Sequence, residues 1–119
     1  MKPTEKHNEK IAKIIFGSVY PYYVAKVQKK GKTEEELITL ITWLTGYEPD
    51  EIKKLIEDKV NFEHFFKHAT LHPNAHLIKG SICGYKLEEI DNPLTKKVRY
   101  LDKIIDELAK GKSIDKIKR

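Results

Sequence analysis

The stretch NPLTKKVRYLDKIIDELAKG, residues 92–111, decides the architecture. Asn92 offers a side-chain cap, and Pro93 suits a first helical turn, where a backbone N–H would go unpaired anyway. Lys110-Gly111 is a stop signal. Between them Leu94, Val98, Leu101, Ile105 and Leu108 recur at steps of 4, 3, 4 and 3, the stripe of an amphipathic helix. A helix of about five turns must bury that stripe against something. The rest of the chain is therefore read for partners.

Upstream, Thr4 caps a helix that runs to about Gly17, with Ile11, Ile14, Ile15 and Ala12 on one face. Gly17-Ser18 interrupts it. Ser18 would cap a second helix that tolerates Pro21 in its first turn, buries Val19, Tyr22, Tyr23 and Val27, and ends in KKGK. Thr33 and Glu36 form a capping box before Leu37, Leu40, Ile41 and Leu44, flanked by Ile38 and Trp43, and Gly46 stops that helix. Pro49 opens a fourth, with Ile52, Leu55 and Ile56 inward. Asn61 caps a short fifth that turns Phe62, Phe65, Phe66 and Ala69 inward, and Pro73 ends any helix before it. From Asn74 to Ile90 periodicity fails around Gly80 and Gly84, and two short strands or a packed loop with a helical turn both fit. Ser113 caps a final turn that packs Ile114 and Ile117 back. We expect a mostly α fold: one compact domain over residues 1–119, five or six helices, and a short irregular or β element around 76–87.

A chain of 119 residues, 39% hydrophobic and 34% charged, has enough apolar surface for a core without staples. No apolar run approaches a membrane span, the charged start MKPTEKHNEK is no signal peptide, and the single Cys83 forms no internal disulfide. A cytoplasmic, membrane-free protein is expected. The net charge of +5 is uneven: residues 1–32 carry +6, residues 33–70 carry −5 and residues 71–119 carry +4. Lysine outnumbers arginine 21 to 2, which favours solubility over the bidentate grips of base or phosphate recognition.

His64, His68, His72 and His76 stand four residues apart. Pro73 breaks the ladder before its last rung, and the phenylalanines of the fifth helix leave His64 and His68 on its solvated side, so no metal site is assigned. Cys83 with His76 would be a nucleophile and base, but between Ile82 and Gly84 it reads as a small buried side chain. Asp102 and Asp106, one turn apart, read as a solvated, partly paired face, and Glu88, Glu89 and Asp91 as a helix-start cluster. The Gly80–Gly84 loop matches no nucleotide-binding pattern. The helix-turn-helix outline of residues 33–58 would meet DNA with Glu48, Asp50 and Glu51, the wrong charge. The segment Tyr20–Lys32, with Tyr20, Lys26, Lys29 and Lys30, would suit a single-stranded nucleic acid.

Four stretches, MKPTEKHNEKIAKIIFGSVYPYYVAKV, ITWLTGY, HPNAHLIKGSICGYKLEEI and NPLTKKVRYLDKIIDELAKGK, cover most of the chain. In them the sequence resembles the bacterial family catalogued as domain of unknown function 2200. That family usually has Asn where His72 stands, and Gln or other polar residues where His64 and His68 stand. The resemblance implies a small cytosolic bacterial protein and supplies no activity, cofactor or catalytic residue.

No catalytic set and no cofactor motif emerge. We expect a non-enzymatic binding or interaction module that takes a protein partner or a second copy of itself. The alternative is a small anionic-ligand or enzyme site where residues 72–87 meet the last helix, built from His76, Cys83, Tyr85, Arg99 and Tyr100. Arg99, the one arginine before Arg119, would grip an anion there or clamp Glu88 or Asp91.

Overall fold

The computed structural model describes residues 3–119. Its helices are α1 (Glu5–Lys13), α2 (Phe16–Gln28), α3 (Glu34–Thr45), α4 (Pro49–Glu57), α5 (Phe62–Lys67), α6 (Pro93–Ala109) and the short α7 (Ile114–Ile117). Between α5 and α6 lie two 3-10 turns, Ala75–Leu77 and Leu87–Glu89, around a hairpin of β1 (Ser81–Ile82) and β2 (Tyr85–Lys86). The hairpin is antiparallel, with Ser81 opposite Lys86 and Ile82 opposite Tyr85. The fold is thus mostly α with a short β element, and both sequence alternatives for 76–87 contribute to it.

α6 is the axis. It packs against α1, α2, α3, α5, α7 and β1. Val98, Leu101, Ile105 and Leu108 are buried as the spacing requires, and Tyr100, Ile104 and Ala109 widen the stripe into most of the helix circumference. Asn92 caps it through Thr95 N–H. The Thr33–Glu36 capping box forms, as does the Asn61 cap on His64 N–H. Gly46 ends α3 at φ +76°, and the chain leaving α5 runs back beside it, Thr70 N–H on Thr45 O and His72 N–H on Leu44 O. Those bonds pair carbonyls that a helix end leaves open.

The α1–α2 corner departs from expectation. α1 stops at Lys13, and Ile14 and Ile15 are extended. Ile15 forms an antiparallel bridge with Asn61, with Phe16 N–H on Val60 O and Phe62 N–H on Ile14 O. Ile15, expected in the core, is only half-buried, and Phe16 takes its place. Ser18 is not a cap: Gly17 and Ser18 lie inside α2. Gly17 is there for close approach, since a Cβ would come within 3.2 Å of Ile56 in α4. Tyr22, expected to be buried, is 75% exposed, because α2 presents Phe16 and Val27 to the core instead.

Candidate functional site

Three helices meet in a cleft of about 360 Å³. α1 supplies His7, Lys10 and Ile11, and Ile14 follows at its C-cap; α2 supplies Val19, Tyr22 and Tyr23; α6 supplies Val98, Arg99 and Asp102; Phe62 of α5 closes the apolar side. Each set repeats at steps of three and four, so each is one helix face. A wider hollow of about 670 Å³ beside His64, Lys67 and Lys97 gathers no buried ion network.

One end of the cleft is polar and connected. Arg99 Nη1 donates to Asp102 Oδ2 at 2.9 Å, and the Tyr23 hydroxyl donates to Asp102 Oδ1 at 3.0 Å. Arg99 Nη2 lies 3.2 Å from His7 Nε2. A guanidinium only donates, so His7 Nε2 is the acceptor and its ring proton sits on Nδ1. The Arg99 guanidinium carbon lies 5.5 Å from the centre of the Tyr85 ring, and the His7 ring is 5.5 Å from the same ring. The ion pair is sheltered, with the Arg99 and Asp102 side chains 12% and 17% exposed. Arg99 Nε is buried and has no partner among the described residues.

Burial pushes the Asp102 carboxyl above the usual aspartate range, against the opposing pull of Arg99, Tyr23 and Lys26. Burial, and then the Asp102 charge, raise the Tyr23 hydroxyl well above its ordinary value. One helical turn on, Asp106 is paired with Lys26 at 3.2 Å and Lys110 at 3.0 Å. Burial raises its carboxyl, but the two lysines outweigh that and leave it below the usual range. Asp102 and Asp106 therefore face α2, and neither is part of the solvated face expected of them.

Of the expected site residues, Tyr85 and Arg99 come together; the others do not join them. His76 is exposed, its Nδ1 2.9 Å from the Pro73 carbonyl. Tyr100 is buried in the core, its hydroxyl raised by burial and then by Glu88. Cys83 is exposed, not buried: it occupies the tip of the β1–β2 hairpin at φ +53°, where the turn holds it in solvent. Arg99 pairs with Asp102 rather than clamping Glu88, whose Oε1 accepts Gly80 N–H at 3.0 Å. That bond holds the Glu88 carboxyl below its usual range and occupies the first N–H of the glycine loop.

On α2 the Tyr20 hydroxyl donates to Glu34 at 2.6 Å and Lys26 is engaged by Asp106, while Lys29 and Lys30 stand exposed at the helix end. Tyr20 and Lys26 point about 120° apart around the helix and form no common stacking surface. His64 and His68 are exposed with ring centres 4.6 Å apart, but His72 turns away to stack on Trp43 at 4.5 Å. Among the described residues no three His, Cys, Asp or Glu side chains converge as metal ligands.

His7, Lys10, Tyr23 and Asp102 are polar residues of the cleft that sequence reasoning missed. Asp102 was within reach: it lies three residues after Arg99, a spacing that pairs charges on a helix. His7 and Tyr23 carry no such mark, because only the packing of α1 and α2 on α6 brings them there.

A long central helix ringed by shorter ones, with an ion network set into an apolar cleft, defines a small helical fold. The chain belongs to the family described as "Uncharacterized protein conserved in bacteria (DUF2200)", which matches residues 10–119. The chain is also similar to the uncharacterized protein SP1917, known from a crystal structure. The two are 38% identical with a TM-score of 0.86, over 92% of this chain and 90% of that one. No functionally curated protein matches the chain. Among the described residues no helix is long and apolar enough to cross a membrane.

Proposed function

We propose that the protein is a binding module that holds a small molecule in the cleft between α1, α2 and α6. One observation carries this: apolar walls from Ile11, Ile14, Val19 and Val98 end in the connected network of His7, Arg99, Asp102 and Tyr23. Ligand sites combine an apolar enclosure with a few converging polar groups. A buried ion pair is weak evidence for stability, so its place in a cleft draws attention to binding. Binding fits better than catalysis, because both Asp102 oxygens are already held by donors. We assign this activity to the bacterial cytoplasm; the support is a lone, exposed thiol, which a reducing compartment keeps free.

The test is a small-molecule screen followed by amide chemical-shift mapping on the intact protein, with native mass spectrometry of untagged protein for retained mass. Shifts that cluster on α1, α2 and α6 are expected. Shifts that cluster around His76 or α3–α4 would overturn the assignment.

A further inference from the structure

The charges of the cleft identify the class of ligand. Arg99 and Asp102 cancel, and His7, as acceptor to Arg99, is neutral. What remains is Lys10, exposed at the cleft and without an ion-pair partner among the described residues. The cleft therefore carries one uncompensated positive charge beside an apolar enclosure. Of the five guanidinium N–H donors of Arg99, the bonds to Asp102 and His7 use one from each Nη, which leaves capacity for another acceptor. A cationic head group has no counterpart here: each Asp102 oxygen already accepts a bond, and Lys10 repels it. A phosphate brings up to two charges to one free lysine, whereas a carboxylate brings one.

We propose that the cleft binds a monocarboxylate with an extended apolar body. The hydrocarbon lies on Ile11, Ile14 and Val19, and the carboxylate faces Lys10 and the Arg99 end. This rests on the cleft reading above and adds the chemistry of the head group.

Decanoate, decanol and decylamine share one apolar body and separate the two. Each is titrated into the intact protein at neutral pH and below its micelle concentration, with binding followed by calorimetry and amide shifts. Decanoate should bind about three- to fivefold tighter than decanol, the effect of one partly screened charge contact. Decylamine should bind more weakly than both. Lys10→Met should bring decanoate down to decanol's affinity and leave decanol unchanged. Val19→Trp, or Ile14→Trp if the first fails to fold by circular dichroism, should fill the cleft and abolish both. Equal binding of decanoate and decanol, tighter binding of decylamine, or an undiminished preference in Lys10→Met would overturn the carboxylate assignment and leave the cleft standing. No binding of any probe, or binding indifferent to the tryptophans, would overturn both.

Discussion

Cys83 carries a strained backbone. It and Gly84, at φ +53° and +82°, form the two-residue turn that joins β1 to β2. Turns with both central residues at positive φ match the twist of a hairpin and favour Asn-Gly. A side chain with Cβ costs about 1–2 kcal/mol there unless, like Asn, it tolerates the region. Cys83→Asn should therefore stabilise the fold by about 1 kcal/mol and raise Tm by about 4 °C in a thermal melt. The wild-type thiol should react with a disulfide reagent nearly as fast folded as unfolded; a strongly protected thiol would contradict the turn. Gly46 tests the same physics with the opposite sign. It is left-handed, and an added Cβ would meet Thr70 O at 3.2 Å, so Gly46→Ala should cost at least about 1–2 kcal/mol in urea unfolding. The apolar neighbours Ile82 and Gly84 suggested burial of Cys83. Turn chemistry overrode them, because register within a hairpin fixes which residues form the tip.

At the scale of the element, α6 is tied by charge to the residues flanking α7. Arg119 donates to both Glu107 oxygens, at 2.9 and 3.1 Å, with those side chains only 17% and 10% exposed. Burial raises the Glu107 carboxyl, but Arg119 and Lys112 more than offset it and leave it below its ordinary 4.5. A lowered folded pKa adds stability above the unfolded value, and that stability is lost as pH falls through the folded one. Glu107→Gln should cost about 3 kcal/mol at neutral pH by leaving Arg119 unpaired. The gap to wild type should shrink as the pH drops below 4.5; a gap independent of pH would mean the pair contributes no charge effect. Asp102 works the other way. Its raised carboxyl detracts from stability at neutral pH, and protonation as the pH falls through that raised value relieves the burden. The elements themselves were largely legible: the Thr33 capping box and the α6 stripe are local signals. The α1–α2 corner was not, since its break is set by pairing with Asn61, far along the chain.

Across the whole molecule, the ion network fastens α1 to α6. Thr95 Oγ1 donates to Asn8 Oδ1 at 2.7 Å one turn from the His7–Arg99 contact, so two polar links hold the same helix. Arg99→Met would leave Asp102 sheltered without its cation and take away the partner of His7. A loss of about 3–5 kcal/mol is expected. Native-state hydrogen exchange should quicken in α1 before α3; uniform acceleration would show that Arg99 does not hold α1 in particular. No linear spacing could reveal this site. Its polar members stand at 7, 23, 85, 99 and 102, on three helices and a strand. Arg99 and Tyr85 were found by being rare or aromatic near the irregular segment, and the helices that complete their surroundings came from packing.

The bridge between Ile15 and Asn61 also governs the order of events as the chain is made. Synthesis delivers the N-terminal segment first, yet the corner between α1 and α2 takes its backbone partners from Val60, Asn61 and Phe62. Until those residues have left the ribosome the corner has nothing to pair with, and Phe16 has no aromatic neighbours from α5 on which to settle. α2, by contrast, packs on α3 and α4, both of which are made before Asn61. The nascent protein should therefore gather α2, α3 and α4 before the corner closes, and a chain stalled ahead of Asn61 should leave α1, whose partners are α5 and α6, open to protease.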